Sequence, residues 1–268
     1  MSFRPPRGTL AELVADARED CATRKRQRPH LVFEVTQEKP SGRGFEKALR
    51  DSTLPGFALI CEVKRASPSA GSLKHGDSAT RRAQAYVAGG ARCVSVLTEQ
   101  RRFGGSLDDL RAVRQVLSVP LLRKDFIVDP YMVHEAADAG ADCILLIAGA
   151  LEPSALVELE ACAKELGLDV LLEFVHEREL DVLNHLHSRL VGVNARDLET
   201  LEMDASRFER LAPRLLGDGR LVVAESGVGK PEDVIRLAKA GAGAALVGES
   251  LMRSDDAQAL VRRLTEAG

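Results

Sequence analysis

Residues 58 to 71 read ALICEVKRASPSAG, and the interpretation of the whole chain starts from this stretch. Residues 58–63 form a short apolar run with the length of one buried strand. Glu62 and Lys64 lie two positions apart at its end, so their side chains point to the same side of a strand. Burying a carboxylate and an ammonium is costly unless the charges are paired or used. The stretch therefore predicts either a salt bridge that closes one end of a core or part of a functional site.

The composition is typical of a globular protein. The chain has 268 residues, 45% hydrophobic and 29% charged, which is enough for one large domain with a full core. Its net charge of −3 argues against a nucleic-acid-binding surface over the whole protein. The five cysteines have no C-x-x-C spacing, which favours reduced, packed thiols over a disulfide framework or a zinc site. The sequence lacks a signal-peptide core and an apolar run of membrane-spanning length, so we expect a cytoplasmic protein.

The first 57 residues differ from those that follow. Apolar residues at helical spacing predict a helix over residues 9–28, then a polar stretch with Pro and Gly, then a short helix around Phe45–Leu49. The basic residues between 24 and 28 are predicted to form a solvated helix face, the alternative being a targeting or polyanion-binding patch. We expect residues 1–57 to form an N-terminal helical extension that packs on the main domain.

From residue 58 onward, short apolar runs alternate with amphipathic segments of helical length. Several of these segments begin with Pro in the first turn and end in Gly before the next strand, as at Gly140 and Gly241. Eight such strands predict an α/β fold, a closed (β/α)8 TIM barrel over residues 58–268. A doubly wound open sheet is the alternative, but residues 64–68 are not the glycine-rich turn that favours it. The predicted strands are 58–63, 92–97, 119–122, 142–147, 169–173, 190–193, 220–224 and 244–247.

Polar residues are concentrated where the predicted strands end, which is where a (β/α)8 barrel carries its chemistry. Charged or amide groups at five strand ends on one rim predict a functional site more strongly than an incidental salt-bridge network. Lysines and glutamates held close together shift one another's pKa values in opposing directions, as acid–base chemistry requires. The strand-end residues are Glu62, Lys64, Lys124, Glu173, Asn194 and Glu225.

The last two strand ends have the residues of a phosphate site. Ser226-Gly227 and Gly248-Glu249-Ser250 offer backbone N–H groups and hydroxyls, and a short helix is predicted to begin at about Ser250. The loops after strands seven and eight are the usual phosphate cradle of this fold, and Gly allows close backbone approach. The alternative is that these residues only form tight turns.

These segments together resemble the indole-3-glycerol phosphate synthase family of tryptophan biosynthesis. The resemblance implies a carboxy-lyase that converts 1-(2-carboxyphenylamino)-1-deoxyribulose 5-phosphate to indole-3-glycerol phosphate by ring closure, decarboxylation and dehydration. It implies no cofactor and no metal. We expect a monomer that binds a phosphorylated small molecule and neither nucleic acid nor membrane. The resemblance rests on ICEVKRASPSAG, SVLTEQRRFGGS, LLRKDFIVDPYMV, LLEFV, VGVNARDLETLEMD, VAESGV and LVGESLMR, which cover nearly every strand end from 58 to 253.

The resemblance also implies roles for individual residues. Lys124 matches the general acid, a role for which we expect a pKa lowered toward neutrality with help from Lys64. Glu173 matches the carboxylate that stabilises a cationic intermediate or removes a proton, and Glu62 a second carboxylate in proton transfer. Lys64 pairs with anionic parts of the substrate and Asn194 positions it. Further implied contacts are Ser67, Gly227, Gly248 and Ser250 at the phosphate, Phe103 and Phe126 around the anthranilate ring, and Arg196, Glu225 and Ser226 beside the substrate.

Two other functions compete with this one. A barrel of the phosphoribosylanthranilate isomerase kind is expected to use a Cys and an Asp, whereas the rim here carries Glu62, Lys124 and Glu173. A non-catalytic paralogue would bind the phosphorylated ligand without turning it over. The complete acid–base set argues against the paralogue.

Overall fold

The computed structural model describes residues 3–38, 42–64, 66–67, 71–72 and 78–268, without the side chains of 36–38, 66–67 and 71–72. Its barrel strands all begin and end within two residues of the predicted apolar runs. A two-stranded antiparallel hairpin follows the first barrel strand. The strands are β1 (Ala58–Val63), β2 (Ala66–Ser67), β3 (Gly71–Ser72), β4 (Cys93–Leu97), β5 (Leu121–Lys124), β6 (Cys143–Ile147), β7 (Asp169–Phe174), β8 (Leu190–Asn194), β9 (Leu221–Glu225) and β10 (Ala244–Val247).

The eight long strands form a closed parallel barrel in the order β1-β10-β9-β8-β7-β6-β5-β4. β1 closes it because this strand pairs with two neighbours, β4 on one side (Glu62 beside Ser95) and β10 on the other (Cys61 beside Val247). Closure confirms the predicted (β/α)8 barrel and excludes the open doubly wound sheet. It also brings all the carboxyl ends of the strands to one rim.

Helices alternate with the strands and surround the barrel. Three helices begin with Pro in the first turn, as predicted. Other helices begin with a side-chain cap, and Ser106 Oγ, for example, accepts a hydrogen bond from the backbone N–H of Asp109 at 3.0 Å. The helices are α1 (Gly8–Gln27), α2 (Leu31–Glu38), α3 (Phe45–Leu49), α4 (Ala79–Ala88), α5 (Leu107–Val116), α6 (Pro130–Asp138), α7 (Pro153–Glu165), a 3-10 helix (Glu177–Asn184), α8 (Arg207–Leu215), α9 (Pro231–Lys239), α10 (Glu249–Arg253) and α11 (Ala257–Thr265).

The N-terminal segment corrects two predictions. Helix α2 forms where an irregular polar stretch was predicted, because Leu31 and Val35 are buried and the helix packs on α6. The basic residues at the end of α1 are not simply a solvated face. Arg24 binds Glu135 of α6 through two hydrogen bonds of 2.6 and 3.0 Å, and Lys25 pairs with Asp129 at 2.7 Å. These residues tie α1 to the barrel wall.

Helix α1 itself forms as predicted. Its apolar face is buried, and its opposite face carries carboxylates that hold the loop after β4. Arg101 in that loop binds Asp16 at 3.1 Å and Glu19 at 3.0 Å, and Arg102 binds Glu12 at 2.9 Å. Within the described residues, every helix is too short or too polar to span a membrane.

Candidate active site

A cavity of about 620 Å³ opens at the carboxyl ends of the barrel strands. Among its lining residues are all the predicted site residues whose side chains the structure describes. Ser67 lies in β2, and its side chain falls outside that description. The predicted residues that line the cavity are Glu62, Lys64, Phe103, Lys124, Phe126, Glu173, Asn194, Arg196, Glu225, Ser226, Gly227, Gly248 and Ser250.

Glu62 and Lys64 form the first charged pair of the cavity. Lys64 Nζ lies 3.0 Å from Glu62 Oε1, and Glu62 is buried. The two side chains point to the same side of the strand end, as their spacing predicts. Gly248 at the end of β10 makes room for them, since a Cβ there would lie 2.5 Å from Glu62 Oε1 and 3.1 Å from Lys64 Nζ.

A second cluster surrounds Lys124 at the end of β5. Lys124 Nζ lies 3.4 Å from Glu173 Oε2 and 3.5 Å from Glu225 Oε2, and both carboxylates are buried. Asn194 Nδ2 donates to Glu173 Oε1 at 3.1 Å, and Asn194 Oδ1 accepts from Ser226 Oγ at 2.7 Å. The amide of Asn194 therefore orients the carboxylate that faces the lysine.

Gly192 on β8 is a site residue that the sequence analysis missed. It pairs with Glu173 of β7 in the barrel register, and a Cβ at this position would collide with Glu225 Oε1. The absent side chain makes the space in which the carboxylate of Glu225 lies. The sequence does carry a signal for it, because a glycine inside an apolar strand such as LVGVN indicates that another group approaches the backbone closely.

The carboxylates of the cluster stabilise the charged form of Lys124 more than the sequence analysis predicts. Burial lowers the pKa of Lys124, but the negative charges of Glu173, Glu225 and Glu62 together outweigh burial and raise the pKa above its ordinary value. The expectation of a pKa lowered toward neutrality is therefore wrong for this state of the protein. Burial, with the neighbouring Glu173, raises the pKa of Glu225 well above its usual range. The raised pKa means that Glu225 holds a proton up to a higher pH than an ordinary carboxyl group does.

Aromatic side chains form one wall of the cavity. The rings of Phe103 and Phe126 lie 6.4 Å apart with planes tilted by 35°. The carboxylate of Glu99 holds the Phe103 loop, because it accepts the backbone N–H groups of Arg102 (2.8 Å) and Phe103 (2.9 Å). The apolar lining that the sequence analysis missed includes Leu13 of α1, Leu97, Leu145, Ile147, Leu198, Leu201 and Met203.

The opposite part of the cavity has the predicted glycines and hydroxyls. Gly227 has a positive φ of 78°, and Ser250 Oγ donates to Val228 O at 2.9 Å. Helix α10 begins at Glu249, one residue before the predicted start. Asp233 accepts the backbone N–H groups of Gly229 (3.0 Å) and Lys230 (3.1 Å), so a bound anion would have to use other amides.

Charged side chains also lie beside these glycines, and two of them, Lys230 and Arg253, were not included in the sequence analysis. Glu249 forms ion pairs with Arg196 at 3.6 Å and with Arg253 at 3.2 Å. Lys230 lines the cavity as well. The positions of Lys230 and Arg253 at the cavity depend on how the last two loops fold toward each other, so no local motif in the sequence marked these two residues.

The Cys–Asp alternative finds no support at the rim. Cys61 next to Glu62 is completely buried, and burial raises the pKa of its thiol. In the described part of the chain, no three His, Cys, Asp or Glu side chains are arranged to hold a metal ion.

The fold and the site together define an enzyme of the (β/α)8-barrel class that is equipped for acid–base catalysis. Residues 10–264 match the family model described as indole-3-glycerol phosphate synthase. The chain belongs to this family. The predicted function, indole-3-glycerol phosphate synthesis in tryptophan biosynthesis by a carboxy-lyase, is thereby confirmed at the level of the family.

Curated relatives agree with this assignment, and a solved structure agrees with the fold. The chain is 52% identical over 221 residues to the indole-3-glycerol phosphate synthase of Mycobacterium leprae, which covers 82% of this chain and 80% of the relative. It is 46% identical over 268 residues to that of Mycobacteroides abscessus, covering 97% and 95%. A crystal structure of 3-hexulose-6-phosphate synthase superposes with a TM-score of 0.59 at 16% identity, over 79% of this chain and 99% of the other. This last likeness shows the fold alone.

Proposed function

We propose that the cavity binds 1-(2-carboxyphenylamino)-1-deoxyribulose 5-phosphate and that Lys124 is the general acid of ring closure. The supporting observation is the position of Lys124 Nζ inside the cavity, 3.4 Å from Glu173 and 3.5 Å from Glu225. The carboxylate of Glu173, which is the nearest to Lys124 Nζ, favours the protonated lysine, so a proton donor is present before the substrate arrives.

In the first step, the ring carbon that bears the carboxyl group attacks the ketone carbon of the substrate. A carbon–carbon bond forms, and the ketone oxygen gains the electron pair of its former π bond. Lys124 donates a proton to that oxygen, which becomes a hydroxyl. Lys64 pairs with an anionic group of the substrate and holds the two reacting carbons together, a proximity effect. Glu62 orients Lys64 through the 3.0 Å ion pair.

Decarboxylation and dehydration complete the reaction. Loss of CO2 returns its bonding electron pair to the ring and restores the aromatic system. The hydroxyl then leaves as water after it accepts a proton, and a proton leaves the neighbouring carbon to form the indole double bond. We assign the removal of that proton to Glu173, which Asn194 orients at 3.1 Å, with Glu62 as the second carboxylate that assists proton transfer.

Substrate binding divides between two parts of the cavity. We assign the anthranilate ring to the wall formed by Phe103 and Phe126. We assign the phosphate to the turn at Gly227 and to the start of α10 at Gly248 and Ser250, with Ser67 of β2 as a further contact implied by the family resemblance. Arg196, Ser226 and Glu225 contact or orient the substrate between these ends.

The test is indole fluorescence after the substrate is added to purified protein in the presence of a chelator. We expect a growing signal from the wild type, since the proposed chemistry uses only side chains. Glu173→Gln should lower turnover about 100- to 10,000-fold. Glu158→Gln, at an exposed position on α7, is the matched control and should leave turnover unchanged. No signal from folded wild type would refute the function, and normal turnover of Glu173→Gln would refute the role of Glu173.

We also propose that the protein is a cytoplasmic monomer in which residues 1–57 form an extension on a barrel of residues 58–268. The ion pairs that join α1 to the barrel, such as Arg101 with Asp16, support packing of the extension on the barrel. Light scattering of the purified protein tests the monomer, and a single cooperative unfolding transition followed by two probes tests the packed extension.

A further inference from the structure

A buried arginine lies directly beside the proposed general acid. Arg123 precedes Lys124 on β5, and its side chain is 1% exposed. Because successive side chains alternate along a strand, Lys124 faces the cavity while Arg123 faces the surrounding helices. A guanidinium is expensive to bury, and the outer face of a barrel strand is normally apolar. The free-energy cost of burying Arg123 therefore indicates that its partners in the barrel wall compensate for it.

Every nitrogen of the Arg123 guanidinium is hydrogen-bonded. Nε donates to Thr98 Oγ1 at 3.2 Å, and Nη1 donates to the carbonyl oxygen of Met132 at 2.6 Å. Nη2 donates to Asp125 Oδ2 at 3.0 Å. Both terminal nitrogens also reach Glu135 Oε2 at 3.4 Å. The group therefore connects β5 to α6 and to the loop after β4 in one fixed geometry.

The partners of Arg123 complete a closed set of charges. Asp125 also accepts from Thr98 Oγ1 at 2.6 Å and from the backbone N–H of Phe126 at 2.9 Å. Glu135 is paired on its other side by Arg24 of α1 at 2.6 Å. Two cations face two carboxylates, so the network is electrically balanced within the barrel wall.

The network acts on the backbone on both sides of Lys124. Arg123 precedes the lysine and Asp125 follows it, and these two side chains bind each other at 3.0 Å. The lysine's own carbonyl oxygen accepts from Thr98 N at 3.0 Å. Buried ion pairs often stabilise a fold no more than apolar residues of similar volume would. What the pair of Arg123 and Asp125 adds here is a fixed orientation of the backbone at the end of β5.

We propose that Arg123 is a positioning residue of the reaction, because its pair with Asp125 holds the strand end that aims Lys124 Nζ at the substrate. The proposal rests on the role of Lys124 as general acid. Asp125 lines the cavity, whereas Arg123 does not. Substitutions of Arg123 therefore test the positioning of Lys124 without changing contacts to the substrate.

The experiment compares Arg123→Met and Arg123→Lys with the matched control Arg92→Met. Arg92 also makes several hydrogen bonds, to the carbonyl oxygens of Leu49, Asp51, Leu54 and Gly56 at 2.8–3.0 Å, but it lies at the opposite end of the barrel. We measure kcat and KM by indole fluorescence, and unfolding by urea. Misplacement of a reacting group by about 1 Å costs roughly 100-fold in rate.

We expect kcat to fall about 100-fold in Arg123→Met and about tenfold in Arg123→Lys, with KM within twofold of wild type. Arg92→Met should lose stability and keep its kcat. A purely structural role for Arg123 predicts the opposite, namely a loss of stability like that of Arg92→Met with kcat intact, and that result overturns the proposal. If Arg123→Met does not fold, the kcat of Arg123→Lys tests the proposal, because lysine keeps the positive charge and loses only the planar set of guanidinium N–H donors. A wild type without turnover would instead refute the proposed function.

Discussion

Replacing Lys124 by Met is the sharpest perturbation of this site. Methionine has similar length and no proton to donate, so the cavity keeps its shape while the general acid is lost. We expect turnover to fall about 100- to 10,000-fold, the usual contribution of a general acid. In terms of the activation barrier this is about 2.7–5.4 kcal/mol. The same substitution also removes the cation from between two buried carboxylates.

The structural consequence follows from the distances. At 3.4 Å from Glu173 and 3.5 Å from Glu225, the attraction of Lys124 to each carboxylate in its ionised form is worth about 5 kcal/mol at an effective dielectric constant of about 20, before desolvation is counted. Breaking such a buried pair typically costs about 3–5 kcal/mol. Glu225 reduces this loss when it binds a proton, and it does so more readily without the lysine.

The loss of stability therefore depends on pH. Glu225 already has a folded-state pKa above its ordinary value of 4.5, and Lys124 lowers it, so the variant raises it further. A raised pKa contributes stability that is complete below the unfolded-state value and is lost as the pH rises through the folded-state value. Lys124→Met should thus be destabilised more at pH 8 than at pH 5.5, with a slope of up to about 1.4 kcal/mol per pH unit for one proton.

Two measurements on one preparation check this. Urea unfolding at pH 5.5 and pH 8 gives the stability, and indole fluorescence at saturating substrate gives the turnover. Lys239→Met, at an exposed position on α9, serves as the control and should match wild type in both. Folded Lys124→Met with turnover within threefold of wild type would refute Lys124 as the general acid. Equal destabilisation at the two pH values would refute the coupling to the buried carboxylates.

Three further substitutions test other parts of the site. The stability conferred by protonated Glu225 is lost as the pH rises from its ordinary pKa of 4.5 through its raised value, so Glu225→Gln should flatten the dependence of the urea midpoint on pH above 4.5. Ser250→Ala should raise KM about tenfold and leave kcat within twofold in steady-state assays, because one hydrogen bond to a charged phosphate is lost. Glu249→Gln should lower KM about two- to fivefold at low ionic strength, since the carboxylate at the start of α10 repels the phosphate assigned to Gly248 and Ser250, and an unchanged or raised KM would contradict this.

Most of the fold and much of the site were determined by local patterns. Apolar runs separated by amphipathic segments predicted all eight barrel strands, because burial on both faces requires such runs in a parallel sheet. The alternation of side chains along a strand was enough to place Glu62 and Lys64 on one side of β1. Since parallel strands in a closed barrel end on one rim, residues as far apart as Lys124 and Glu225 were predicted to meet.

Only the tertiary structure decided the electrostatics and the support of the site. The charge state of Lys124 depends on its distances to carboxylates that lie on other strands, and these distances reversed the pKa shift expected from its role. The space that Gly192 leaves for Glu225, and the bonds that Arg123 makes to α6 and to the loop after β4, join residues that local sequence patterns do not connect. A local pattern specifies which face of an element a side chain occupies. Which partner it meets there is set by packing, because burial and Coulomb energies depend on distances in space.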